Sequence, residues 1–224
     1  MCFSAEASIV AYVIGSLLGY ILYRIGDKYD KTIAVLTLLF IQMQLAEYLI
    51  WINQDCGLVN RIGTGIAQML IIVQPILIIL IPYLFKTLSI SKNLFKIILI
   101  IYVLFTAGSF IFSLIIKGRF LKYCTLASEN GYLDWGFTSN YLYIDYIFLI
   151  FYFCSYLILL FFKNKFKGFF AFFIILFNLF YSFIIIKNQS FIEIFKQWES
   201  KWCFTATFLP LFFIALHLFD QKKR

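Results

Sequence analysis

Long apolar runs separated by short lysine-rich interruptions set the pattern of this chain. A bilayer-spanning helix needs about 20 mostly apolar residues. Seven segments meet that requirement: 5–23, 33–52, 62–85, 94–116, 141–162, 169–186 and 202–219. The runs are solidly apolar rather than alternating, which argues against the closed β-barrel, the other architecture able to span lipid. The pattern predicts an all-α fold: one domain over 1–224, an integral membrane bundle of seven transmembrane helices. Before the last run, Phe191, Ile194, Phe195 and Trp198 recur at helical spacing with Glu193, Lys196 and Glu199 between them. That spacing predicts an amphipathic segment over 190–200, lying at the outer interface or capping the bundle.

Composition agrees. Hydrophobic residues make up 63% of the chain and charged ones 13%, whereas a soluble domain is about half apolar and roughly a quarter charged. A soluble globule of this length has no means of hiding so much apolar surface, so the partner is the lipid bilayer and the location an integral, multi-pass one. The net charge of +8 does not point to nucleic acid, because the Lys and Arg form no single patch. They flank the apolar runs, as loop cations of membrane helices do.

The side on which those cations fall sets an orientation. The first positive charges, Arg24, Lys28 and Lys31, follow the first helix, and no basic region precedes it as a signal peptide requires. With the N-terminus outside, twelve Lys and Arg lie on the inner side and seven on the outer, accounting for all 19. The positive-inside rule then selects N-terminus out and C-terminus cytoplasmic. Ala7, Ala11, Gly15 and Gly19, four residues apart, form a stripe that lets helix backbones approach closely. It predicts that the first helix packs within the bundle, with a homo-oligomer contact as the alternative use. Pro75, Pro82 and Pro210 all fall inside predicted helices, where each removes a backbone hydrogen bond and bends its helix.

Four of the five cysteines, Cys2, Cys56, Cys124 and Cys203, map to the outer face. Cys154 sits inside a helix, where a thiol acts as a small apolar group. Four cysteines allow three pairings. If the helices close into a ring, the first and last become neighbours, which favours Cys2 with Cys203 and Cys56 with Cys124. Zinc is disfavoured: there is no CxxC pair, and the single histidine, His217, is predicted at the opposite end as a plain interfacial residue. Cys2 has a second reading as an N-terminal thiolate at the positive end of a helix dipole, although no histidine base lies nearby.

Within the apolar runs the notable residue is Glu47, because an intramembrane carboxyl is costly and faces the bundle interior. Gln44 lies one turn before it and Trp51 one turn after, on the same helix face. Gln68 and Asp145 fall in the same outer half by depth, and Trp202 opens the last helix. These six residues are the expected lining of an outward-facing polar pocket. The alternative is a set of interhelical hydrogen bonds, which contribute only about 0.6 kcal/mol each. We expect the pocket role for Glu47 and the fastening role for the glutamines. No GxSxG turn, phosphate loop or lysine within the seventh span suggests a reaction or a cofactor.

The opening Met1-Cys2-Phe3-Ser4-Ala5, the Gln44-Leu45-Ala46-Glu47 pattern followed by Trp51, and Trp202-Cys203-Phe204 resemble a family of small multipass membrane proteins of bacteria and large DNA viruses that begin MCFSA. Gly131-Tyr132-Leu133-Asp134-Trp135 sits where that family often has a Gly-His-Leu-x-Trp element, and Tyr132 in place of the histidine argues against a metal there. The resemblance implies a multipass architecture and points at Cys2, Glu47, Trp51 and Cys203; it implies no reaction. The reading that follows is a receptor-like or transporter-like protein binding a small molecule around Glu47. A membrane enzyme using exposed thiols at Cys2 and Cys203, and a structural or assembly protein of a viral or cellular membrane, are the alternatives.

Overall fold

The computed structural model describes residues 4–116, 123–128, 133–135, 142–184 and 206–222. The described chain is a bundle of helices. Helix α1 (Ala5–Ile25) starts where Ser4 Oγ accepts a hydrogen bond from the Ala7 N–H at 3.2 Å, satisfying one of the amides a helix start leaves open. It stops at Gly26, whose N–H returns to the Leu22 carbonyl. A Cβ on Gly26 would collide with Asp30 Cβ and come within 2.6 Å of the Leu22 carbonyl, so only glycine lets the chain reverse this tightly.

The next residues form a reciprocal cap. Asp27 Oδ1 accepts from the N–H groups of Tyr29 and Asp30, and Asp30 Oδ2 accepts from the Asp27 N–H. This capping box starts helix α2 (Lys28–Phe40) ahead of residue 33, where the apolar run begins. The second span then breaks at Ile41 and resumes as α3 (Gln42–Trp51). Further along come α4 (Leu58–Leu84), α5 (Lys92–Ile116), α6 (Leu142–Ser155), α7 (Lys165–Ile184) and α8 (Leu209–Lys222). Helix α6 tightens into a 3₁₀ turn over Tyr156–Phe161.

Among the described residues four stretches are long and apolar enough to cross a membrane: Ala5–Ile25, Lys28–Trp51, Leu58–Leu84 and Lys92–Ile111. Ile150–Phe161 and Leu209–Phe219 are shorter apolar helices. Side chains such as Val13, Leu17, Leu104, Phe173 and Phe177 project outward. These side chains leave much of the described exterior apolar.

The small-residue stripe packs α1 into the bundle, as its spacing predicts. Ala11, Gly15 and Gly19 are buried. Gly15 faces Ile41 and Thr207, and Gly19 faces Leu38. Pro75 and Pro82 lie inside α4 as expected. Pro210 is different: it occupies the first turn of α8, where its missing N–H has no partner to lose, so it starts a helix instead of bending one. A second departure is an antiparallel pairing of Leu126–Ala127 (β1) with Leu133–Asp134 (β2) in the long connection after α5, a small exception to the all-α expectation. The 190–200 segment lies outside the described residues.

The elements meet at two ends of the bundle. One holds the α1–α2 turn, the α4–α5 connection, the approach to α7 and the end of α8. There Leu88 bridges Phe162, and Lys163 donates its N–H to the Thr87 carbonyl at 2.8 Å. The other holds the α3–α4 link, the 123–128 segment and the start of α1.

Candidate functional site

Helix α3 carries Gln44, Glu47 and Trp51. Its start at Ile41 is marked by a tight turn, with Gln44 N–H bonded to the Ile41 carbonyl and Gln42 Nε2 donating to the Leu38 carbonyl at 2.9 Å. Gln44 and Glu47, on one face of α3, are both fully enclosed. Gln68 of α4 is 7% exposed. Helix α4 approaches closely enough here that a Cβ on Gly63 would lie 3.0 Å from the Ala46 carbonyl.

Depth follows from these contacts and from a rise of about 1.5 Å per residue. Helix α1 runs antiparallel to α3 with Gly15 against Ile41, which sets the buried Ser8 at the level of Glu47. Gly63 against Ala46 sets Gln68 near the level of Ile41, roughly a turn from Gln44 and deeper than Glu47. The structure therefore places Gln44, Glu47, Gln68 and Ser8 in the same half of the bundle, within about two turns of one another. Trp51 stands a turn nearer the bundle end, half-buried, and its indole N–H finds no acceptor among the described residues. Asp145 lies in the first turn of α6, and α6 packs against α4. Cys2, Trp202 and Cys203 lie outside the described residues. The expected fastening role fits Gln74, whose Oε1 accepts from the Tyr152 hydroxyl at 2.7 Å and ties α4 to α6.

In this half, the bundle end is latched. Cys56 and Cys124 form a disulfide with Cα atoms 5.3 Å apart, one of the two bridges expected; the other, Cys2 with Cys203, falls on residues not described. Asn60 completes the latch. Its Nδ2 donates to the carbonyls of Asn53 (2.7 Å) and Thr125 (2.8 Å), and its Oδ1 accepts from the Thr125 N–H (2.9 Å) and the Thr64 hydroxyl (3.3 Å). A buried amide with both ends satisfied holds one geometry. Gln54 Oε1 adds a bond from the Ala127 N–H at 2.6 Å. Leu133 and Trp135 of the Gly-Tyr-Leu-Asp-Trp element are fully buried. The bonds from Asn60 and Thr64 to Thr125 carry no sequence signal, because these partners are 61 to 65 residues apart.

At the opposite end lies a charged cluster that hydropathy alone does not reveal. Lys167 Nζ sits 2.6 Å from Asp30 Oδ1 and 3.1 Å from Asp27 Oδ2. His217 Nδ1 lies 3.2 Å from Asp30 Oδ2, and its Nε2 lies 3.0 Å from Gln221 Nε2. Asp30 is fully buried and Lys167 is 4% exposed. Lys167 is thus a buried partner of two carboxylates and not a free flanking cation, and His217 is a member of the cluster and not a plain interfacial residue. An Nδ1–H imidazole fits both neighbours, donating to Asp30 and accepting from the Gln221 amide. The cluster joins the α1–α2 turn, α7 and α8. Burial alone would raise the Asp27 carboxyl. The Asp30 N–H, the hydrogen bond and charge of Lys167 and the Tyr29 N–H outweigh it and hold the group below its ordinary range.

A cavity of about 350 Å³ lies between α2 and α4, lined by Leu39, Ile62, Ile66, Met69 and Val73 among others. It is almost entirely apolar, which suits hydrocarbon and no polar chemistry. Among the described residues no group of three His, Cys, Asp or Glu is placed to hold a metal ion. Compared with protein-family models, curated proteins and solved structures, the chain matches none.

Proposed function

We propose that the chain crosses the bilayer seven times, N-terminus outside and C-terminus cytoplasmic, and binds a small polar molecule in an outward-facing pocket centred on Glu47. The observation that carries this reading is the full enclosure of the Glu47 carboxyl beside Gln44, with the buried Ser8 at its level and Gln68 in the same half of the bundle. Removing a carboxyl from water costs several kcal/mol, and a polar contact between membrane helices gives back only about 0.6 kcal/mol on average. A glutamine would fasten the helices at lower cost, so a carboxyl points to a ligand. Carboxylate, amides and a neighbouring indole together suit a small molecule with an amine or several hydrogen-bond donors.

The opposite end supports an outward opening. Asp27, Asp30, Lys167 and His217 tie three elements together there, closing the route a ligand would take from the other side. A receptor needs no more than this arrangement; a transporter would have to part the cluster during its cycle.

The test is a thermal-shift and native mass-spectrometry screen of small amines and polar neutral molecules on the protein in nanodiscs, with Glu47→Gln as the comparison. A ligand at a hundred times its Kd is expected to stabilise wild type by about 2.7 kcal/mol and Glu47→Gln far less, with ligand-free Glu47→Gln melting no lower than ligand-free wild type. Equal stabilisation of both proteins by every binder would remove Glu47 from the site.

A further inference from the structure

We propose that the α1–α2 corner is a docking site for one anionic phospholipid, whose phosphate lies on Arg24, Lys28 and Lys31 and whose acyl chain follows the outer face of α1. The inference goes beyond the Glu47 pocket and does not depend on it; it rests on the helices lying in a bilayer.

The outer face of α1 changes character in order along its length. Val10, Val13 and Leu17 are each more than half exposed, Tyr20 follows at 55%, and Arg24 is exposed one turn further. Val10 to Tyr20 is ten residues, a rise of about 15 Å, which matches half of a hydrocarbon core about 30 Å thick. The stripe is thus one leaflet deep, ending in an aromatic ring at the interface and a guanidinium beyond it. Lipids are ordered the same way, from chain to ester region to phosphate, and tyrosine prefers the middle of that sequence.

The cations are held in place. The Arg24 guanidinium carbon lies 6.0 Å from the centre of the Tyr20 ring, Lys31 Nζ 5.7 Å from Tyr23 and Lys28 Nζ 5.2 Å from Tyr29. These cation–π contacts gather three positive groups around one turn. The carboxylates of that turn, Asp27 and Asp30, are drawn to Lys167 of α7, so among the described residues the corner keeps a net positive charge. Arg24 supplies the planar fork that matches phosphate oxygens, and the two lysines add point charge. A headgroup with net negative charge is favoured over a zwitterionic one, since each Lys or Arg near the surface contributes favourably with anionic lipid.

The experiment is native mass spectrometry of the full chain released from detergent with defined lipid, together with melting in nanodiscs, comparing phosphatidylglycerol with phosphatidylcholine. Wild type is expected to retain phosphatidylglycerol preferentially. Arg24→Gln/Lys28→Gln/Lys31→Gln should lose that preference by at least about tenfold, with Arg24→Gln alone losing part of it. Lys92→Gln/Lys96→Gln, which removes two lysines at the same end outside the corner, should keep it. Soluble glycerophosphate should not compete, because it lacks the chain that the α1 stripe would hold. An unchanged preference in the triple variant, an equal loss in the Lys92/Lys96 variant, equal binding of soluble glycerophosphate, or no preference in wild type would overturn the assignment. None of these outcomes bears on Glu47, which lies toward the other end of the bundle.

Discussion

Replacing Lys167 with methionine is expected to destabilise the protein by roughly 3–5 kcal/mol, the cost of leaving a buried charge without its partner. Asp30 is fully buried and its shortest contact is the 2.6 Å bond from Lys167 Nζ. Without that ammonium, one carboxylate oxygen of Asp30 loses its donor inside the bundle while the other keeps the Asp27 N–H and His217. The damage should come from the stranded charge rather than from lost attraction. Asp30→Leu/Lys167→Met is therefore expected to recover much of the stability, since it replaces both members with apolar groups. Reversible unfolding in mixed micelles reads both variants, and a single variant as stable as wild type would show that the cluster carries no buried charge. Acid should weaken the same cluster through its second arm. The Asp27 carboxyl is held below its ordinary range in the folded state, so its contribution is present above the unfolded value of about 3.9. It is lost as pH falls through the lower folded value.

The second large effect is expected at the other end. Cys56 and Cys124 are 68 residues apart in sequence, and cross-linking a loop of that length stabilises by at most about 4 kcal/mol. Cys56→Ser/Cys124→Ser should lower stability by a large part of that figure. It should leave the 123–128 segment docked, because Asn60 and Gln54 still hold its backbone. Adding Asn60→Ala removes four hydrogen bonds at once and is expected to release the segment, exposing it to protease. If the double serine variant alone is cleaved as fast as the triple one, the Asn60 network does not hold the segment.

The contrast between these two ends shows what the sequence makes legible. Apolar runs of sufficient length announce their helices, and the four-residue spacing of Ala11, Gly15 and Gly19 announces a close approach, because both signals are local. Glu47 is conspicuous for the same reason: a carboxyl among aliphatic residues stands out without knowledge of its neighbours. The Lys167 cluster is not legible, because a lysine after an apolar run looks like any loop cation until α7 sets it against the α1–α2 turn, 137 residues away from Asp30. The start of α2 is missed because a capping box, not hydropathy, sets it. The role of Pro210 is misjudged because the apolar run extends upstream of the point where the described helix begins. Asn60 offers no local oddity at all; its importance comes from Thr125 arriving beside it.

Ligand binding at Glu47 and lipid docking at the α1–α2 corner both require that lipid surround the bundle and that its two ends face opposite sides. The direct measurement is side-specific alkylation with a membrane-impermeant maleimide, read peptide by peptide, in sealed vesicles of known orientation carrying Lys165→Cys. After mild reduction, Cys56 and Cys124 should be modified from one side of the membrane and position 165 only from the other. Modification of all three from a single side, or recovery of the chain as a detergent-free monomer in water, would contradict the account.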